Sequence, residues 1–166
     1  MPTLEAVLHR IDHLVGSGSL PVVVFDLDST LFDTAGRHLA ILRAFAEEQP
    51  HVRSLVDDIS LQDFGWGVDE PLRARGFDDA PTLQALSAFW FERFFDGDWV
   101  GHDHPAEGAV EYVNEVWRRG ALVYYLTGRH VDGMDAGTAK ALTDRGFPFW
   151  TGRTVLHLKP DFHMPD

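Results

Sequence analysis

The chain has 166 residues, with 14 Lys plus Arg against 26 Asp plus Glu, for a formal charge of −12 with His neutral. Its 45% apolar residues suffice for the core of one domain with an insertion, which excludes disorder as the main description, and the absence of any Lys/Arg stripe argues against nucleic acid or an anionic membrane as partner. With no run near the roughly 20 apolar residues of a membrane span, no signal-peptide pattern in MPTLEAVLHRIDHL and no Cys, a cytoplasmic protein without disulfides, thiolate nucleophiles or Cys-zinc sites is expected.

In chain order, residues 3–15 place Leu4, Val7, Leu8, Ile11, Leu14 and Val15 on one helical face, and 16–19 (GSGS) end the pattern. Residues 21–25 (PVVVF) form a continuous apolar run, which predicts a strand buried on both faces, as in a parallel sheet flanked by helices. Residues 35–101 then follow helical spacing, with Leu39, Leu42 and Phe45 in one stripe and Leu83, Leu86, Trp90 and Phe94 in another, and read as an inserted helical subdomain. Within it, Phe89-Trp90-Phe91 and Phe94-Phe95 read as subdomain core, the alternative being the lining of a pocket for an apolar substrate group. Phe64-Gly65-Trp66-Gly67 reads as loop filling or a ligand contact. A helix over about 106–119 turns Ala109, Val110, Val113, Val116 and Trp117 inward and stops at Gly120. A second buried strand over 121–126, a helix over about 136–145 and a strand over 154–158 complete an α/β alternation. No repeat, low-complexity tract or Gly-rich phosphate loop is present.

Chemistry concentrates at the ends of the strands. The first delivers Asp26 and Asp28 to the carboxyl edge of the sheet, where open α/β folds place their ligands. Two carboxylates held close repel each other unless a cation sits between them or one is protonated. Thr30 and Asp33 follow, and Asp33 reads equally as a strand-end turn or helix cap. After the second strand come Thr127, a hydroxyl donor, and Gly128, which permits close backbone approach to an anion. Arg129 offers a bidentate grip on phosphate or a surface ion pair, and His130 is a loop histidine or a substrate contact. After the third strand comes Lys159, ahead of a Pro suited to a helix start. His102-Asp103-His104 has the spacing of a metal-ligand pair but reads first as a polar loop, and His9, His13, His38 and His51 carry no signal.

Asp26-Leu27-Asp28-Ser29-Thr30, Thr127-Gly128-Arg129 and Lys159-Pro160, each after an apolar strand and in this order, resemble three motifs of the haloacid dehalogenase-like superfamily, in particular its phosphatases. The resemblance covers residues 20–34 and 104–160. It implies a Rossmann-like α/β core over 1–34 and 102–166, with a helical cap over 35–101. It implies a two-step phosphoryl transfer on a small phosphomonoester: Asp26 attacks phosphorus, and Asp28 protonates the leaving oxygen and then activates water. Thr127 and Lys159 would complete the catalytic set, with Thr30, Gly128 and Arg129 at the substrate. The cofactor implied is Mg²⁺, held by the Asp26 carboxylate and the Asp28 main-chain carbonyl. A non-catalytic phospholigand-binding module, or transfer of the phosphoryl group to an acceptor other than water, are the alternatives.

The family's fourth motif, a pair of acids after a further strand, has no counterpart in 160–166. Asp161 and Asp166 are candidate substitute ligands, although Asp161 reads more readily as a helix start; a shortened or truncated form is the expectation. The fourth-motif strand lies beside the first in the family's sheet, so its lack predicts an open apolar edge along Val22–Phe25, with dimerisation or strand exchange there and weak metal binding.

Overall fold

The Thr3 side chain accepts a hydrogen bond from the Ala6 amide at 3.2 Å and so caps the first helix, satisfying a donor that the helix itself leaves open. In this computed structural model, which describes residues 3–161 and 163, the chain runs through α1 (Leu4–Gly16), β1 (Val22–Phe25), β2 (Phe32–Asp33), α2 (Ala35–Glu48), α3 (Arg53–Val56) and α4 (Glu70–Ala74). It continues with α5 (Ala80–Phe94), β3 (His104–Pro105), α6 (Ala109–Arg118), β4 (Leu122–His130), α7 (Val131–Asp144) and β5 (Thr154–Lys159). No helix among the described residues is long and apolar enough to cross a membrane.

β1, β4 and β5 form a three-stranded parallel sheet in the order β1-β4-β5, flanked by helices. Because Val23 pairs with Val123 and Phe25 with Tyr125, side chains of one face line up across the strands and meet Ile11 of α1, Val113 and Val116 of α6, and Met134 and Leu142 of α7 in a single apolar cluster. The alternate residues do not share this burial: Val22 and Val24 are 55% and 56% exposed, and Leu126 is exposed as well. The expectation that 21–25 is buried on both faces is therefore corrected. β1 is an edge strand covered on one face, and only its Val23 and Phe25 positions reach the core. The α1 stripe is thinner than its spacing predicts for the same reason; Ile11 is enclosed while Leu4 and Val15 stay exposed.

The segment between β2 and β3 has its own apolar cluster, built from Leu39, Leu42 and Phe45 of α2, Val52, Val56 and Ile59 beyond it, and Leu83 and Leu86 of α5. Its two ends meet where β2 pairs antiparallel with β3, and the Ala106 amide donates to the Leu31 carbonyl at 2.9 Å. The return of the chain at 97–102 lies against α7 through glycines. A side chain on Gly137 would sit 2.2 Å from the Gly97 carbonyl oxygen, so neither position tolerates a Cβ without moving backbone. α7 opens with a turn at Val131, but Asp132 (ψ 101°) and Gly133 (φ 90°) are not helical, so its regular part starts only after Gly133, near the start at about 136 that the spacing predicts.

Candidate active site

Asp26 follows directly on β1 and is exposed, Leu27 is fully buried, and Asp28 points into a second environment. The turn that separates them is wound around one atom: the Leu27 carbonyl accepts from the amides of Thr30, Leu31 and Phe32. Ser29 takes a left-handed conformation with φ 60°. The Thr30 hydroxyl donates to Asp26 Oδ2 at 2.8 Å, which fixes the carboxylate and leaves Oδ1 facing away from that bond. Asp33 is the helix-start residue that one reading made it, its Oδ1 accepting from the Ala35 amide at 2.8 Å.

β4 does not stop at Leu126. It runs to His130 through an irregularity, with Leu126 opposite His157 and His130 opposite Lys159, so four residues of β4 span two of β5. The extra length falls on 127–129, and such bulges re-aim side chains at the rim of a sheet. Gly128 and Arg129 thereby line the same cavity as Asp26, Asp28 and Lys159, a space of about 380 Å³. Thr127 is buried, and its hydroxyl oxygen accepts from the Arg129 amide at 3.2 Å. The inserted segment closes the cavity with Arg37, Phe94 and Phe95, and α7 adds Met134. Phe94 and Phe95 of the aromatic run therefore border this cavity, while Phe89 and Trp90 pack against the cluster of the inserted segment.

Arg129 is neither a surface pair nor an open phosphate grip. Its side chain is 2% exposed, and its Nε and Nη2 donate to Asp28 Oδ2 and Oδ1 at 2.9 and 2.7 Å. Nη2 also reaches Asp103 Oδ2 at 2.9 Å, and Nη1 the Thr138 hydroxyl at 3.3 Å. Arg37, fully buried on α2, donates to both oxygens of Asp103, to Asp28 Oδ1 at 3.0 Å and to the Phe94 carbonyl at 2.8 Å. Two guanidiniums thus face two carboxylates in one enclosed network that joins the inserted segment to the sheet. Burial alone would push the Asp28 carboxyl up; the hydrogen bonds and charge of Arg129, with Arg37 behind them, outweigh it and hold that carboxyl below the ordinary range. Burial dominates at Asp103 and pushes it up against the pull of the two arginines.

Sequence reasoning passed over Arg37 and Asp103. The second was hidden inside a triplet noticed for its histidines: Asp103 is the enclosed member, while His102 and His104 are exposed. The signal for Arg37 was its position, four residues before Ile41 and eight before Phe45 on the buried side of α2, where a cation demands a partner.

His38 lies beside this network. It is buried, stacked on Phe94 and Phe64 with ring centroids 5.0 and 5.7 Å away, and its Nδ1 accepts from the Trp90 indole N–H at 3.0 Å. Burial, reinforced by the charge of Arg37, lowers its pKa from 6.5 to about 4. Below pH 6.5 the unfolded chain binds a proton that the folded chain refuses, so stability is expected to fall as pH drops from 6.5 to 4, by about 3 kcal/mol in all. Urea unfolding across that range checks this, and His38→Gln, which keeps an acceptor for Trp90, should flatten the slope.

Among the described residues, no group of three His, Asp or Glu converges as a metal cage, and the pair His102 and His104 makes none. The Asp28 carboxylate is committed to two guanidiniums, and the two donors that the resemblance implies for a magnesium ion, the Asp26 carboxylate and the Asp28 main-chain carbonyl, fall short of the six oxygens that ion takes. These residues do not complete a magnesium site by themselves. Asp161 is not in such a group, and Asp166 lies outside the described residues.

No protein-family model matches the chain, and no curated protein matches it. Solved structures do. A proposed phosphatase from Clostridium difficile superimposes with a TM-score of 0.54 at 13% identity, over 84% of this chain and 61% of its own. A hydrolase from Streptococcus pneumoniae TIGR4 and a proposed phosphoglycolate phosphatase from Lactobacillus delbrueckii subsp. bulgaricus are also similar, each with a TM-score of 0.47 at 16% identity, over 80% and 83% of this chain. The chain spans about three fifths of the length of these structures (61–64%). The fold is haloacid dehalogenase-like, as the three motifs implied.

Proposed function

We propose that the chain is a phosphatase-type hydrolase that attacks a small phosphomonoester with Asp26 and passes through an aspartyl-phosphate. One observation carries the reading: Asp26, Gly128 and Lys159, from the ends of three adjacent parallel strands, border a single cavity. Thr30 holds Asp26 Oδ2, so Oδ1 is the attacking oxygen, forming the new bond to phosphorus as the bond to the leaving oxygen breaks. The Lys159 ammonium, at the end of β5, offsets charge on the phosphoryl oxygens, and the open backbone at Gly128 admits them closely. Magnesium, which the resemblance implies, enters as a variable of the assay. A role for Asp28 as proton donor to the leaving oxygen requires its clamp to Arg129 and Arg37 to open, because an anion between two guanidiniums carries no proton near neutral pH.

That same clamp favours the second reading, a phospholigand-binding module. Phosphate release from p-nitrophenyl phosphate and from small monoesters, with magnesium and with EDTA, separates the two. Release above the uncatalysed rate is expected, and phosphate binding without release in either condition overturns the enzyme reading.

Among the described residues no strand lies on the outer edge of β1, and in this reading that edge pairs with a second copy. Val22 and Val24 are exposed, and an apolar unpaired edge is a template for another strand. Sedimentation should show the weight-average mass rising with concentration, and Val24→Lys should lower it; a concentration-independent monomer refutes the pairing.

A further inference from the structure

The cavity is lined by two unlike sets of residues. Asp26, Gly128 and Lys159 come from the strand ends and carry the reaction in this reading; Phe94 and Phe95, half-buried, come from the inserted segment, and Met134 comes from α7. The two rings are braced by their neighbours. Phe94 packs on Trp90 and His38 with centroids 4.7 and 5.0 Å away, carries the Arg37 guanidinium 4.3 Å over its face, and meets Phe95 edge-on at 5.3 Å. Phe95 in turn stacks toward His130 at 6.3 Å. The two arginines near these rings are engaged elsewhere: Arg37 donates through Nε, Nη1 and Nη2 to Asp103, the Phe94 carbonyl and Asp28, and Arg129 donates to Asp28, Asp103 and Thr138.

We propose that the group esterified to phosphate in the substrate is a flat apolar or aromatic alcohol, recognised by Phe94 and Phe95, rather than a sugar or a hydroxy acid. This rests on the phosphatase reading and gives it a substrate class. Sugar hydroxyls entering here lose water against rings and against guanidinium donors already bonded to carboxylates, which penalises them. A second carboxylate on the substrate gains nothing either, since the two guanidiniums that line the cavity are balanced by Asp28 and Asp103. An aromatic ring stacks on these rings without needing a polar partner. The volume, about 380 Å³, suits a phosphate carrying one ring system.

The test compares 2-phenylethyl phosphate with glycerol phosphate, glucose 6-phosphate and phosphoglycolate under one set of conditions. All four esterify a primary aliphatic hydroxyl, so their differences report recognition rather than leaving-group reactivity. The expected result is a kcat/KM for 2-phenylethyl phosphate about 10- to 100-fold above the other three, carried mainly by KM. Phe95→Ser should shrink that ratio by about tenfold, and the wild-type ratios decide the matter by themselves if the variant does not fold. Equal or reversed ratios overturn the inference and leave the phosphatase reading standing. No release from any of the four, while p-nitrophenyl phosphate is hydrolysed, also overturns the inference. No release from any substrate overturns the phosphatase reading and the inference with it.

Discussion

Replacing Arg129 by Met lowers the unfolding free energy by about 3–5 kcal/mol, the cost typical of breaking a buried ion pair from one side. The reason lies in what stays behind. Asp103, with no exposed side-chain surface, and Asp28, at 30% side-chain exposure, are left with Arg37 alone. Two carboxylates in one enclosed site with one cation repel each other and are poorly solvated. For a chain of this size the loss corresponds to a fall in Tm on the order of 10 °C, readable by thermal unfolding or urea titration. A double variant, Arg129→Met with Asp103→Leu, removes one charge of each sign and should recover more than half of the loss, because the Arg37–Asp28 pair remains intact. The exposed pair Lys140–Asp144 is the control: at 74% and 55% side-chain exposure, breaking it should change stability by less than about 0.5 kcal/mol. Equal losses at the two pairs refute the network as a structural element.

The contrast between Arg129 and Lys140 also marks what the sequence made legible. Strand positions were readable because an apolar run such as 121–126 is too short for a buried helix and too apolar for a loop, and because Asp26, Thr127 and Lys159 each directly follow such a run or end it. Which face of β1 the sheet covers was not readable, since Val22, Val23, Val24 and Phe25 are alike in apolarity and only the neighbouring elements decide their burial. The bulge at 127–129 was likewise hidden: it depends on the register between β4 and β5, which local sequence does not encode. Charge pairing failed most plainly. Arg37 and Asp103 are 66 residues apart and Asp28 and Arg129 are 101 apart, so no local pattern joins them. In sequence, Arg37 and Asp103 carry no sign of a buried pair, and Asp28 and Arg129 read as site residues with nothing to join them to each other.

Asp26→Asn tests the nucleophile with the least disturbance to all of this. The side chain is exposed, lies outside the arginine network, and has the Thr30 hydroxyl as its hydrogen-bond donor. An Asn carbonyl oxygen accepts the same bond, so stability should shift by no more than about 0.5 kcal/mol. Activity should fall by on the order of 10⁴-fold or more, since an amide does not form the acyl-phosphate that the proposed pathway needs. Intact mass after rapid quenching should reveal a phosphorylated wild-type protein and an unmodified variant. Binding should move the other way: replacing an anion that faces a phosphate by a neutral amide removes repulsion, so inorganic phosphate should bind the variant more tightly, by calorimetry, than it binds the wild type. Lost release together with tighter binding and unchanged Tm is a combination that unfolding does not produce. Wild-type rates in the variant refute Asp26 as the nucleophile.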